Sequence, residues 1–529
     1  MRGYLSLVLH AHLPFVRHPE HDCFLEENWL FEAVIETYIP LLQIFEAWER
    51  DAVPCRLALT LSPTLCAMLR DPLLMERCQR RLSALVELAE AETHRTLFEK
   101  RAHAVAEFYL ERLSRIRAFF EKCGARLLPR FSRLQEQGRI EILTCAATHA
   151  VLPLLMAQPA SVRAQVLIAR DDYRECFGRN PRGIWLPECA YADGLDAFLH
   201  EAGLRWFLLE AHGLLRANPK PRYAIFAPVL TPKGVAAFGR DLDSARQVWS
   251  RDEGYPGDPR YRDFYRDIGF DLDFDYIKDY LPSTSARGFT GLKYHRITGG
   301  EPKQYYERGA AMEAVEAHAA HFFTARHAQF EKLDAILDRP PIVVCPYDAE
   351  LFGHWWFEGP EFLDRFARLA ARNDRFDLIT PCDYLETDPL LQVASPAPSS
   401  WGEGGHLKVW LNERNEWIYP LLEDAQRKMT KLAETASAPD ALHARALRQA
   451  ARELLLAQSS DWPFILRTGT SPEYATKRVK DHLAKFDLLA RQLSSKQIDE
   501  RAMAGMEQQD NLFPNVNWTY WREPHENPT

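Results

Sequence analysis

The sequence predicts an α/β protein: a β/α barrel with a helical insertion, followed by an all-α segment. Three features carry that reading. Short β-rich runs recur with amphipathic helical stretches between them, one helical stretch far exceeds what a crossover needs, and the β pattern stops after a segment rich in Pro, Ser and Gly.

The first run, Tyr4–Leu9, is apolar and follows a single early Arg. It is interrupted by His10 and His12 and lacks a small-residue cleavage site, so it reads as a buried strand and not as an export signal. Further strands are expected at Arg56–Leu61, Ile140–Cys145, Gly183–Leu186, Arg205–Leu209, Val235–Gly239 and Ile342–Pro346. Strands alternating with helices imply a parallel sheet, and so many repeats favour a barrel over an open sheet. From Asp71 to Gln137 the chain reads as helix throughout. The stretch SPAPSSWGEGG, Ser395–Gly405, is the clearest linker signal, and helical periodicity dominates from Glu416 to Arg491. The expected division is 1–400 for the barrel, with its insertion at about 71–137, and 401–529 for a helical domain.

The 529 residues are 47% apolar and 26% charged, enough to bury a full core. Lys+Arg 65 against Asp+Glu 74 gives a net charge of −9, which argues against nucleic acid as the main partner. No window approaches the roughly 18 consecutive apolar residues that span a bilayer, so no membrane partner is expected. The ten cysteines are scattered without a CxxC pair and read as reduced core residues, which points to a cytoplasmic protein.

Three constellations could carry chemistry. His10 and His12, two apart on a strand, share one face at its carboxyl end, where β/α barrels build active sites. They are either polar residues at a strand exit or an HxH metal pair, and the further ligands such a metal needs are not found as a full set. In GIWLPECAY, Gly183–Tyr191, Glu188 follows an apolar strand and a proline, so it either caps a helix or enters the site. In CPYDAELFGHWWFEGP, Cys345–Pro360, Asp348 leaves another apolar strand, with His354, Trp355 and Trp356 close behind. Asp348 is either an N-cap beside core tryptophans or a carboxylate in a sugar cleft, since pyranose faces stack on indole. Two carboxylates at different strand ends, with flanking histidines and aromatics, fit glycosidic-bond chemistry. The acid of such a pair must hold its proton near neutral pH, which burial arranges; Trp355 and Trp356 are available for that beside Asp348.

Together with HAHLP (His10–Pro14), GRIEILTCAATHA (Gly138–Ala150) and the Trp-containing start of the helical domain, GIWLPECAY and YDAELFGHWW give a chain that resembles glycoside hydrolase family 57, within it the branching-enzyme-like group, across nearly its full length. The resemblance implies a (β/α)7 barrel with a helical insertion and a C-terminal helical domain that closes over the site. It implies that Glu188 is the catalytic nucleophile and Asp348 the general acid/base of a retaining mechanism. His10, His12 and His149 match positions lining the donor sugar site. Glu141 falls in the same second region, although an alternating strand could equally show it to solvent or to a helix. Trp29 and Trp249 resemble aromatic walls of the cleft, and Trp401 and Trp410 match tryptophans that the helical domain presents to the glucan. Asp461 and Trp462, in QSSDWPF, are candidates for the same wall or for capping and core roles.

Branching members carry a tyrosine on a mobile loop that follows the nucleophile strand and covers the cleft. Here the stretch from Glu188 to Trp249 is short for such a loop, and Tyr223 is the only obvious tyrosine left to serve; the segment Arg251–Tyr280, by contrast, is long, aromatic and charged. A truncated cover would let water compete with the acceptor sugar. The expected activity is a 1,4-α-glucan branching enzyme acting on amylose, glycogen or a starch-like polymer, with neither metal nor organic cofactor. An α-amylase-type hydrolase or a 4-α-glucanotransferase shares the same catalytic pair. A metal-dependent hydrolase built on His10 and His12 and a non-catalytic glucan-binding protein stand as readings from other classes.

Overall fold

The computed structural model describes residues 2–250, 253–283, 286–387 and 390–523; Arg251, the start of the expected aromatic segment, and residues 524–529 of the expected helical domain lie outside the described residues. The strands are β1 (Gly3–Ala11), β2 (Leu57–Leu61), β3 (Ile140–Leu143), β4 (Gly183–Ile184), β5 (Trp206–Leu209), β6 (Val229–Leu230), β7 (Ala236–Gly239), β8 (Ile342–Asp348), β9 (Phe376–Leu378) and β10 (Gln392–Val393). Strand β1 pairs in parallel with β2 and β8, β2 with β3, β4 with β5, and β5 with β7. Parallel bridges Thr144–Ile184 and Arg240–Val344 join β3 to β4 and β7 to β8, which closes a ring of seven.

Those seven strands are the seven read from the sequence, each shifted by a residue or more at its ends. The other three are two or three residues long; β4, no longer itself, is marked by the apolar run Gly183–Leu186 around it. Strand β9 pairs with Gly3–Leu5 and bridges Cys55, wedging in at the feet of β1 and β2. Strand β6 runs antiparallel to β7 and pairs with β10.

Side chains alternate across the ring as the pleat requires. Leu5, Leu7 and Leu9, with Leu57, Leu59, Val343 and Tyr347, point out and pack on helices. Val8, Ala58, Leu143, Leu208, Phe238 and Val344 point in and fill the barrel. Carrying the inward phase past this apolar layer brings His10, Cys145, Glu210, Arg240 and Asp348 to the carboxyl rim. The register confirms the layer, because His10 lies opposite Thr60 on one side and Asp348 on the other.

The insertion comprises helices Pro72–Arg95, Lys100–Lys122 and Leu128–Glu136. Late in the chain come helices Ile418–Thr435, Ala441–Ala457, Asp461–Thr468, Pro472–Ser495 and Glu500–Gln509. Met429, Leu454, Phe486 and Trp521 belong to the same apolar cluster as Leu5 and Leu59, so these helices share one continuous core with the barrel. No helix among the described residues is long and apolar enough to cross a membrane.

Two features go beyond the sequence reading. Ser395–Gly405 is a strap and not a free linker: Ser395 and Ser399 form antiparallel bridges with Asn218 and Tyr191, and Ser399 and Ser400 are buried. Pro and Gly there mark irregular backbone pressed against the barrel, since a Cβ on Gly213 would meet Ser399 Oγ at 2.3 Å. The second feature is a π-helical turn, Val34–Tyr38, between helices Glu27–Ala33 and Ile39–Arg50. Such turns concentrate at functional sites, and this one turns Glu36 and Tyr38 toward the segment after β8.

Gly353, at φ +121°, lies against that turn, where a Cβ would stand 1.9 Å from the Glu36 carbonyl oxygen. Gly353→Ala is expected to destabilise the protein by about 2–4 kcal/mol, measured as a fall in the denaturant midpoint.

Candidate active site

The chain leaves β4, turns at Pro187, and places Glu188 at φ 61°, ψ 20° with Cys189 at φ 48°. Left-handed backbone at non-glycine residues is disfavoured and persists only where surroundings enforce it. The strap supplies the enforcement, because the Trp401 N–H donates to the Glu188 carbonyl at 3.0 Å. The carboxylate is held as well: Trp401 Nε1 donates to Oε2 at 2.8 Å and Ser460 Oγ donates to Oε1 at 3.0 Å.

Behind Ser460 runs a chain of imidazoles whose tautomers follow from the acceptors. Ser460 spends its proton on Glu188, so His149 Nδ1, 2.7 Å from Ser460 Oγ, must be the donor there. Neutral His149 then accepts at Nε2 from His10 Nε2, 2.9 Å away. Both rings are held neutral, their pKa values pushed well below the usual range by burial and by neighbouring imidazoles. His12 stacks on His149 at 3.7 Å and donates from Nε2 to Asp461 Oδ2 at 3.2 Å, leaving its Nδ1 to accept from Ser62 Oγ at 2.9 Å. His10 stacks on Trp185 at 4.4 Å. The backbone of His149 is left-handed too, at φ 57°, and its carbonyl accepts from the Ser460 N–H at 3.1 Å.

The carboxylates around this chain are pushed apart in proton affinity. Burial raises Glu188 to about 7, with the Trp401 and Ser460 donors opposing and the Asp348 and Asp461 charges adding to the rise. Burial raises Asp348 further, to about 8, helped by the Glu350 charge and opposed by Arg240. Asp461 is also penalised by burial, but His12 and His149 outweigh that and hold it below its ordinary value. Of the two, Asp348 is raised the further and holds its proton the more tightly, and Glu188 is the one more readily ionised, the order a retaining pair requires.

The tryptophans divide differently from the sequence expectation. Trp401 and Trp249 meet edge to face at 6.0 Å, and Trp249 keeps 36% of its surface exposed, an open aromatic wall next to Glu188. Trp410 is not part of that wall: it is 2% exposed and packs with Val151 and Ala190 behind the site. Trp462 is core, its Nε1 donating to the Leu456 carbonyl at 2.7 Å, and half-buried Trp29 sits edge-on to Tyr474 in the same region. Trp356 does not shield Asp348 either; it is buried among Tyr255, Tyr261 and Phe362. Trp355 stacks on Phe264 at 4.4 Å with 53% of its surface exposed. His354 is drawn to the π-turn, where its Nδ1 lies 2.7 Å from Glu36 Oε2. A carboxylate already paired with Arg262 at 3.0 Å anchors it there.

Two further readings are corrected. Glu141 is not shown to solvent: it is 2% exposed inside the barrel, at the foot, accepting from Trp206 Nε1 at 3.1 Å with Cys382 of helix Pro381–Thr387 beside it. Tyr223 lies at the amino end of the strands, beside Arg222 and Arg339 and bonded to Asp338, so it does not cover the cleft. The long aromatic segment instead folds on helix Arg308–Asp334, with Tyr255 and Tyr261 hydroxyls each 2.7 Å from a histidine of that helix.

Sequence reasoning missed Glu350, Arg240, Glu210, Trp185 and Ser460. Glu350 is raised by burial to about 7 while accepting from the Tyr38 hydroxyl at 2.5 Å and the His12 N–H at 3.2 Å. Arg240 and Glu210 form an ion pair at 3.0 Å. Their signal was present, since both continue the inward phase of an identified strand by one step. Ser460 had no such signal. His10, Cys145 and His149 bring possible metal ligand atoms within 4.8 Å, but the two imidazoles already satisfy each other.

The activity should be bell-shaped in kcat/KM, with limbs near 7 and 8 that belong to the coupled pair. Ser460→Ala removes a donor to the ionised form, so the acidic limb should move up by about one unit. A pH–rate profile checks this, and an unmoved limb refutes the role of Ser460. Asp348, raised from 3.8 to about 8, binds its proton more tightly folded than unfolded, so it costs stability as pH rises through that interval. The Tm advantage of Asp348→Asn over wild type should therefore grow between about pH 5 and about pH 9 in thermal melts.

The family model for glycosyl hydrolase family 57 matches residues 6–394, and the model described as "1,4-alpha-glucan branching enzyme, C-terminal" matches residues 421–521. A 1,4-alpha-glucan branching enzyme of Thermococcus kodakarensis is 32% identical over 97% of this chain and 78% of its own. The crystal structure of the alpha-amylase AmyC from Thermotoga maritima is similar at 43% identity and a TM-score of 0.93, covering 99% of this chain and 100% of that one. That of the GH57-type branching enzyme from Pyrococcus horikoshii is similar at 32% identity and a TM-score of 0.89, covering 100% and 98%. With its barrel matched nearly end to end, the chain belongs to glycosyl hydrolase family 57.

Proposed function

We propose that this protein is a retaining 1,4-α-glucan branching enzyme. The observation that carries the reading is that Ser460, inside the segment similar to the branching-enzyme C-terminal region, donates directly to the nucleophile. The part of the chain that resembles branching enzymes is thereby built into the reacting centre.

In the first half-reaction Glu188 attacks the anomeric carbon while Asp348 gives its proton to the departing glycosidic oxygen. In the second, Asp348 takes the proton of a 6-hydroxyl on another glucan, whose oxygen displaces Glu188 and makes an α-1,6 bond. Positive charge grows on the sugar in both transition states. The neutral imidazoles of His10 and His149 add no opposing charge, and ionised Asp461 favours it. Trp249 and Trp401 offer faces to an uncharged glucan of the amylose or glycogen type. The ten unpaired cysteines support a reducing, cytoplasmic setting.

Hydrolysis is the second reading. Tyr223 lies away from the cleft, and Tyr191, the other tyrosine between Glu188 and Trp249, is buried against Phe207, which favours entry of water; an alpha-amylase is also among the similar structures.

Proton NMR of linear amylose incubated with the protein decides between them. Growth of the α-1,6 anomeric signal with little rise in reducing ends is expected; rising reducing ends without that signal would make the protein a hydrolase. Glu188→Ala should abolish the glycosyl-enzyme seen by mass spectrometry while glucan binding survives. Transfer activity persisting in that variant would remove Glu188 from its role.

A further inference from the structure

Away from the cleft, two helices meet with an unusual set of side chains between them. Helix Pro63–Arg70 contributes Cys66, and helix Pro159–Phe177 contributes Asp172 and Cys176, which stand four residues apart and so share a face. One ligand atom of each, two sulfurs and a carboxylate oxygen, lies within 4.8 Å of the others. Cys176 Sγ is 3.7 Å from Asp172 Oδ2, and the Cys66 thiol, which also reaches the Leu61 carbonyl at 3.7 Å, stands beside them. A tetrahedral Zn2+, bound at about 2.0 Å to oxygen and about 2.3 Å to sulfur, spaces its ligand atoms by roughly 3.5–3.8 Å. The Cys176–Asp172 separation of 3.7 Å already falls in that range, and the Cys66 sulfur, within 4.8 Å of both, needs at most a small shift.

The surroundings suit a cation of this kind. Arg70 Nη2 holds Asp172 Oδ1 at 2.7 Å, which orients the carboxylate and leaves Oδ2 facing the sulfurs, the role an outer hydrogen bond plays around bound zinc. Two thiolates and one carboxylate carry three negative charges, and one divalent cation with the Arg70 guanidinium balances them. Cys66 and Asp172 are buried while Cys176 is partly exposed, so an ion has a short path from solvent. The other buried cluster of this sort, Glu453, His482 and Asp510, differs in already holding a cation at its centre: Lys485 Nζ is 2.5 Å from Asp510 Oδ2, and Arg478 is 3.8 Å from Oδ1.

We propose that Cys66, Asp172 and Cys176 form a binding site for a thiophilic divalent cation, Zn2+ foremost, with water in the fourth position. The site has a structural use. Ser62, which caps the Cys66 helix through the Leu65 N–H, contacts His12 Nδ1 at 2.9 Å. On the other helix Gln165 accepts from the Thr148 N–H at 3.0 Å, next to His149. An ion joining the middle of the first helix to the last turns of the second braces the supports of His12 and His149 without touching the substrate.

The test uses the full chain, reduced and stripped with a chelator, then titrated with Co2+ and Zn2+. One tetrahedral Co2+ spectrum per chain with thiolate charge-transfer bands is expected, displaced by Zn2+, and Zn2+ should raise the Tm and slow alkylation of Cys176. Cys66→Ser and Cys176→Ser should each weaken binding and cut the charge-transfer intensity per bound Co2+ to about half, the double variant should lose the bands, and Asp172→Asn should weaken binding by about tenfold or more. The metal-free Tm of each variant separates loss of the ion from loss of the fold. Absence of a thiolate band in the reduced wild type would overturn the proposal. So would a band that persists in Cys66→Ser but is lost in Cys145→Ser, which places the ion at the His10–His149 pair. A Cys66–Cys176 disulfide in the isolated protein, with no metal uptake after reduction, would overturn it as well.

Discussion

Both oxygens of the Glu188 carboxylate accept hydrogen bonds from residues the barrel itself does not supply, Trp401 on the strap and Ser460 ahead of helix Asp461–Thr468. Much else depends on this clamp. A carboxylate buried at a strand end is driven toward its neutral form, and a neutral acid is no nucleophile. The two donors counter that drive, while the main-chain bond from Trp401 holds Glu188 in backbone geometry it would not adopt alone. The strap and the late helices are thus part of the proposed reacting centre, and the shared core that binds them to the barrel holds its geometry.

The electrostatic design is a sorting of like groups by their neighbours. Glu188, Asp348, Glu350 and Asp461 occupy one buried space, yet only Asp461 is brought below its ordinary pKa, by the adjacent imidazoles. Asp348 has no opposing donor to match the pair on Glu188, and the Glu350 charge raises it further. The imidazole chain answers a different demand. It directs one hydrogen bond to Glu188, the proposed nucleophile, through Ser460 while remaining uncharged, so it orients the carboxylate without adding a positive charge that would stabilise its ionised form further. The π-turn belongs to the same arrangement, since Tyr38 holds Glu350 and Glu36 draws His354 aside.

The barrel was legible because its ring strands, buried on both faces, leave a trace of short apolar runs between helical stretches. The same trace extended by one residue points to Arg240 and Glu210, which went unread because they stand outside any recognisable motif. Tryptophan was the weakest guide. Trp355 and Trp356 adjoin in sequence, yet one is stacked at the surface and the other buried in the core, and Trp410 is covered where Trp249 is open. Indole is apolar enough for a core and flat enough for a sugar, so its chemistry does not select between them.

By itself the sequence determined the ring of strands, the helical insertion and the two carboxylates, because each rests on a local pattern or on a motif at a strand end. Only the tertiary structure decided which partners those carboxylates have. Ser460 is 272 positions from Glu188 and Trp401 is 213, and Glu350 reaches Tyr38 across 312. Nothing local in a sequence encodes such a pairing. It follows from the shared apolar core that brings strap, late helices and barrel rim into one low-dielectric space, where the hydrogen bonds and charges then set which acid keeps its proton.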